Sequence, residues 1–234
     1  MNNWLNETLR NEYHFVKLLH KSSKGECILF RNKKLNRDIV IHTLNNADIR
    51  VYTALKNVVH DNILNVFDAV KCGDKTVVVE EYINGITLAE LTETMSPLGV
   101  KRVIVQLCSG LSALHSIGII HRDITLNNIM LTNDGTVKII DFDIAKLYSS
   151  ADSVDHDTMG TVCYAPYEQL GLNKTDERTD IFAVGVLANL LLTQKHPSVQ
   201  MYTKGRLGKM IGRCTVIDPS ARFESADDVL AFLQ

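Results

Sequence analysis

His121, Arg122 and Asp123 stand together, Asn128 follows five residues after the aspartate, and Asp141-Phe142-Asp143 comes after one further short apolar run. Two carboxylates and a carboxamide in this order offer hard oxygen ligands to a divalent cation, with one carboxylate left to take the proton of an attacking hydroxyl. That donor set suits a magnesium-nucleotide site. The residues around it must then hold two loops side by side.

The elements that would do so are legible from periodicity. Between Tyr13 and Tyr82 the runs FVKLL, ECILF, DIVIHTL, NVFDAV and TVVVEEY carry Val, Ile and Phe between polar turns, which predicts a small antiparallel sheet. A short helix around Ala47 to Val58, opened by Asn and Asp residues suited to capping, interrupts it. After Asn84-Gly85 the period turns helical: Val100, Val103, Ile104, Leu107, Leu111 and Leu114 fall at spacings of three and four, and Gly118 ends the helix. A loop and a hairpin turning at Asn133-Asp134-Gly135 carry the candidate residues. Residues 178–193 are apolar nearly all round and predict a buried helix, and helices over 205–214 and 225–233 close the chain.

Lys and Arg number 25 against 27 acids, for a net charge of −2, so nothing draws the 234-residue chain as a whole to nucleic acid or to an anionic membrane. The five cysteines, Cys27, Cys72, Cys108, Cys163 and Cys214, form no C-x-x-C pair, which argues for buried thiols in a reducing compartment. The start, MNNWLNETLRNEYHF, is unlike a signal peptide, and no apolar run reaches membrane-spanning length; a cytoplasmic protein is expected.

The H-R-D-x-x-x-x-N and D-F pattern resembles the protein kinases, and also occurs in small-molecule phosphotransferases of related fold. Gly160-Thr161-Val162-Cys163-Tyr164-Ala165-Pro166-Tyr167-Glu168 is similar to the end of a protein-kinase activation segment, Asp180 and Gly185 match the family's buried helix, and Asp218-Pro219 with Arg222 match its late D-P-x-x-R. The resemblance runs over about residues 13 to 233, and DERTDIFAVGV, KHPS and DPSARF are close to bacterial cytosolic serine/threonine kinases. It implies an α+β, two-lobed kinase-like fold: one domain over 1–234, with a sheet lobe over about 13–83 and a larger, mainly helical lobe over about 84–234. It implies Asp123 as catalytic base, Asn128 and Asp141 as magnesium ligands and further catalytic residues, and Glu168 paired with a buried Arg222. Asp180 should accept the backbone amides near His121 and Arg122. Gly25, Val40, His42, Glu80, Glu81, Ile83, Met130 and Lys24 fall at positions that would line the ATP site.

The first lobe departs from the family. Where G-x-G-x-x-G is expected the chain reads His20-Lys21-Ser22-Ser23-Lys24-Gly25, keeping only the last glycine, and His42 stands where the phosphate-binding lysine belongs. The glutamate expected to pair with that lysine falls on Val51, Thr125 replaces the catalytic-loop lysine, and Asp143 replaces the glycine of D-F-G. Lys21 and Lys24 are candidate replacement cations, and Glu80 is expected to face His42 from the neighbouring strand. Ser149, Ser150, Ser153, Thr158 and Thr161 are candidate phosphosites that Arg122 could bind. Two functions stay open: a serine/threonine kinase-like enzyme that binds Mg-ATP and slowly phosphorylates itself or a protein hydroxyl, and a pseudokinase that docks a protein partner without turnover.

Overall fold

The computed structural model describes residues 7, 11–45, 47–148, 164, 166 and 175–234. The strand-forming runs become β1 (Tyr13–Ser22), β2 (Gly25–Asn32), β3 (Asp38–Asn45), β4 (Val66–Cys72) and β5 (Lys75–Glu81). They form one antiparallel sheet in the order β1-β2-β3-β5-β4. Side chains alternate across a sheet, and the register assigns them to its two faces. Ile39, Ile41 and Val77 make an apolar cluster joined by Phe30, Val70 and Val79. The opposite face carries Val40, His42 and Leu44 of β3, paired with Glu80, Val78 and Thr76 of β5.

The helix expected between β3 and β4 is α1 (Ile49–Leu55), only seven residues long. The Asp48 side chain caps it by accepting from the Arg50 amide, and Val51, Tyr52 and Leu55 are buried. Lys56, just past its end, pairs with Asp68 of β4 at 2.6 Å.

The remaining elements are β6 (Gly85–Thr87), α2 (Pro97–Ser116), β7 (Ile119–Ile120), β8 (Ile129–Thr132), β9 (Val137–Ile139), β10 (Lys146–Leu147), α3 (Glu177–Thr193), α4 (Gly205–Cys214) and α5 (Ala226–Leu233). Each of α2, α3 and α5 starts where the sequence supplies a cap: Ser96 accepts from the Gly99 amide, Asp176 from that of Arg178, and Ser225 from that of Asp228. The apolar stripe of α2 is buried throughout, as its spacing predicts. Helix α3 is buried on nearly every side, and at Gly185 a Cβ would lie 2.6 Å from the Cys214 Cβ, so glycine lets α3 and α4 approach. A three-stranded sheet, β6-β8-β9, and the pair β10-β7 carry the loops of interest.

The chain forms two compact units, Met1–Val59 with Leu64–Asn84, and His60–Ile63 with Gly85–Gln234. Residues 60–63 belong with the helical unit because Ile63 bridges Ile139 and the Asn62 side chain donates to the Val137 carbonyl at 2.8 Å. Gly110 of α2 accommodates them, since a Cβ there would lie 3.0 Å from the Asn62 carbonyl oxygen. A sheet unit and a helical unit together make the expected α+β chain.

Candidate active site

In the helical unit the loop from β7 to β8 is fastened from beneath by Asp180 of α3. This carboxylate is 1% exposed and accepts three hydrogen bonds: the His121 amide at 2.9 Å, the Arg122 amide at 2.8 Å and His115 Nε2 at 2.8 Å. Burial alone would push Asp180 upward, but the His115 hydrogen bond and charge, with His121, hold it below the ordinary carboxylate range. Arg122 and Asp141 adopt φ of 65° and 64°, a left-handed conformation that non-glycine residues hold only where surrounding contacts enforce it. For Arg122 those contacts include Asp180 and a 2.8 Å bond from its Nε to the Ile144 carbonyl.

His121 sets the next layer. Its Nδ1 accepts the Asp123 amide at 3.3 Å while Nε2 sits 3.1 Å from the Ile140 carbonyl, so the two partners together select the tautomer protonated at Nε2. The ring packs on Phe142 with centroids 4.9 Å apart. Asn128 then joins the two loops: its Nδ2 donates to the Asp123 carbonyl at 2.9 Å and to Asp123 Oδ2 at 2.8 Å, and its own carbonyl accepts the Ile140 amide at 3.0 Å. With Nδ2 committed to Asp123, the carboxamide oxygen is the atom left for a cation. Asp141 is half-buried and its Oδ1 accepts the Asp143 amide at 3.2 Å, a turn that needs no glycine at position 143. The structure therefore joins Asp123, Asn128 and the Ile140 backbone, next to Asp141, in one hydrogen-bonded assembly. Thr125 is buried within the loop, and Met130 lies half-buried on β8.

In the sheet unit, Gly25, Val40, His42 and Glu80 share one face by register. His42 Nδ1 lies 3.5 Å from Glu80 Oε1, with side chains 18% and 8% exposed. His42 pairs directly with Val78 and Glu80 with Val40, so the contact is a diagonal one between neighbouring strands. Glu81 turns away from this face: its carboxylate accepts the Asn65 amide at 2.8 Å and its own amide donates to the Asn65 carbonyl at 3.0 Å. Only its backbone carbonyl could serve a nucleotide. Ile83 follows, buried.

The segment expected over phosphates is a continuation of the ladder. His20, Lys21 and Ser22 pair with Cys27, Glu26 and Gly25, leaving Ser23 and Lys24 as the turn. Gly25 has a structural reason to be glycine, since a Cβ would collide with the Thr43 carbonyl oxygen. Lys21 pairs with Glu26 at 3.4 Å on the surface, and Lys24 is exposed at the turn. Val51 is fully buried, so α1 supplies no carboxylate at that position.

Glu168, the candidate phosphosites and most of the Gly160–Glu168 motif lie outside the described residues. Arg222 is 1% exposed, donates to the carbonyls of Val216, Arg178 and Ile217, and stacks on Phe182 at 4.9 Å. His115 was missed in the sequence; its signal was a histidine on the apolar stripe of α2, one turn after Leu111. Its Nδ1 is buried without a hydrogen bond, 3.7 Å from Glu177. A pocket of about 450 Å³ adjoins His115, Tyr148 and Arg178, and no candidate catalytic residue lines it.

Comparison with known proteins agrees with this geometry. The protein kinase domain family matches residues 13–228. A probable serine/threonine-protein kinase of Clostridium perfringens is 26% identical over 98% of this chain, which covers 39% of that relative. One from Clostridium acetobutylicum is 28% identical over 96% of the chain and 36% of its own length. The serine/threonine-protein kinase PknB of Mycobacterium tuberculosis is 30% identical over 81% of the chain and 33% of its own length. The chain thus spans well under half the length of these relatives. A family match across nearly the whole sequence, over a loop that Asp180 and Asn128 hold in place, puts this chain in the protein kinase family.

Proposed function

We propose that the chain is a serine/threonine kinase-like domain that binds Mg-ATP and transfers its γ-phosphate slowly, to itself or to a protein hydroxyl. The observation that carries this reading is the bond from Asn128 Nδ2 to Asp123 Oδ2 at 2.8 Å. It orients the carboxylate that would accept the hydroxyl proton and leaves the Asn128 oxygen as the atom that would meet a cation. Asn128 and Asp141 fit magnesium because both offer hard oxygen donors from adjoining loops. Bound Mg-ATP would supply the phosphoryl group, with the cation offsetting charge on the phosphates. On the sheet unit, Gly25, Val40, His42 and Glu80 would meet the nucleotide through their shared face, Lys24 from the turn, and Glu81 and Ile83 through backbone; Met130 would do so from β8.

In this reading residues 1–234 act as one kinase domain with lobes over about 13–83 and 84–234, working in the cytoplasm on a protein partner. Among the described residues no helix is long and apolar enough to cross a membrane. Slow transfer follows from the first lobe. A histidine replaces the phosphate-binding lysine, and a tight hairpin replaces the glycine loop. Loss of one preorganised donor lowers a rate by about two to three decades. The same two features favour the second reading, a pseudokinase that docks a partner.

Intact-mass spectrometry after incubation with Mg-ATP separates the two. Mass gains of one phosphate that vanish in Asp123→Asn support the enzyme. No gain in the wild-type protein, alone or with a generic protein substrate, selects the pseudokinase.

A further inference from the structure

The helical unit carries a second concavity, remote in sequence from the catalytic loop. It is a pocket of about 340 Å³ between the start of α2, the segment leading into α4 and the end of α5. Its walls combine two chemistries. Leu98, Leu207 and Leu233 are apolar, and Lys101, Lys204 and Arg206 are cationic; no acid lines it. Leu98 is 61% exposed, beside Leu207 at 8% and Leu233 at 1%.

The three cations have no ion-pair partner among the described residues. Elsewhere Asp38 pairs with Arg31, Asp68 with Lys56 and Asp176 with Arg178. Among the described residues, Lys101, Lys204 and Arg206 take part in no side-chain hydrogen bond. In a chain of net charge −2, a pocket lined by three cationic side chains and no acidic one runs against the overall balance. Clustering unpaired like charges costs energy in the free protein, and a partner of opposite charge would recover it.

We infer that this pocket docks a short acidic peptide segment of a partner protein, with leucine-like side chains seated on Leu98, Leu207 and Leu233 and its carboxylates on Lys101, Lys204 and Arg206. The volume lies at the small end of the range for ligand pockets, about 300–1,000 Å³, and suits one or two inserted side chains rather than a folded domain. An anionic membrane is the other surface that combines negative charge with apolar interior. The pocket is concave, whereas membrane binding uses a projecting apolar face with clusters of about four to eight basic residues. The negative net charge also opposes it. The inference does not depend on whether the chain binds nucleotide.

The test uses the 234-residue protein and the fluorescein-labelled peptide DLEELLDE in fluorescence anisotropy. Saturable binding with a Kd of about 0.1 mM or tighter at low salt is expected, weakening as salt is raised. The triple variant K101E/K204E/R206E and the single variant Leu98→Asp should each lose about tenfold or more. The peptide DSEESSDE, which keeps the charge and removes the apolar side chains, should lose as much on the unaltered protein. Absence of binding, equal binding by the triple variant, or equal binding of the serine peptide overturns the proposal. So does tighter binding to phosphatidylserine vesicles than to neutral ones when that binding is lost in the triple variant and the peptide does not compete for it.

Discussion

At the scale of single residues, the chain keeps the kinase motif residues of the catalytic loop and departs from the motif in the sheet unit. Asp180 and Asn128 hold the loop that carries Asp123 through its backbone atoms, and the Asn128 carbonyl accepts the Ile140 amide beside Asp141. Replacing Asp180 by alanine would leave the His121 and Arg122 amides and His115 without their acceptor; a loss of about 3 kcal/mol or more is expected by urea denaturation. His42 and Glu80 lie in the sheet unit. Their contact was expected from the kinase resemblance, which sets the third and fifth strands side by side, whereas the turning away of Glu81 was not, since nothing in the sequence shows that Asn65 offers both an amide and a carbonyl to it. If the pair anchors phosphate, Glu80→Gln should weaken Mg-ATP binding about ten- to a hundred-fold by titration calorimetry. Unchanged affinity would leave His42 and Glu80 a structural pair.

At the scale of elements, glycines report how closely strands and helices pack. Gly25→Ala forces a methyl against the Thr43 carbonyl and Gly185→Ala forces one against Cys214, so each should destabilise by about 1–3 kcal/mol. Gly212, inside α4 with open space at its Cβ position, should do the reverse on replacement by alanine, gaining about 0.5–1 kcal/mol. Thermal unfolding of the three variants, read side by side, checks the signs. The strands, α2, α3 and both closing helices were legible in the sequence from periodicity, with caps added at α2, α3 and α5. The tight hairpin at Ser23-Lys24 was not: the loss of glycines from that segment was visible, but polar residues suit an open loop and a paired ladder equally. His115 escaped for a related reason, since a histidine on an apolar stripe reads as packing until its partner on α3 is known.

At the scale of the whole molecule, stability should follow the titration of Asp180. Its carboxyl is lowered from 3.8 in the folded chain, so its contribution is complete above that ordinary value and is lost as pH falls through the lower folded one. Denaturation midpoints should therefore drop on acidification below about pH 4, and Asp180→Asn should flatten that part of the profile. The excursion of residues 60–63 has a different outcome. Because Asn62 and Ile63 are bound by Gln106, Val137 and Ile139, a cut after Asn84 would not divide the protein along its natural seam. It would leave four residues of the helical unit attached to the wrong fragment. Pieces 1–84 and 85–234 should fold poorly apart and reassemble when produced together, giving a ready pair for fragment complementation.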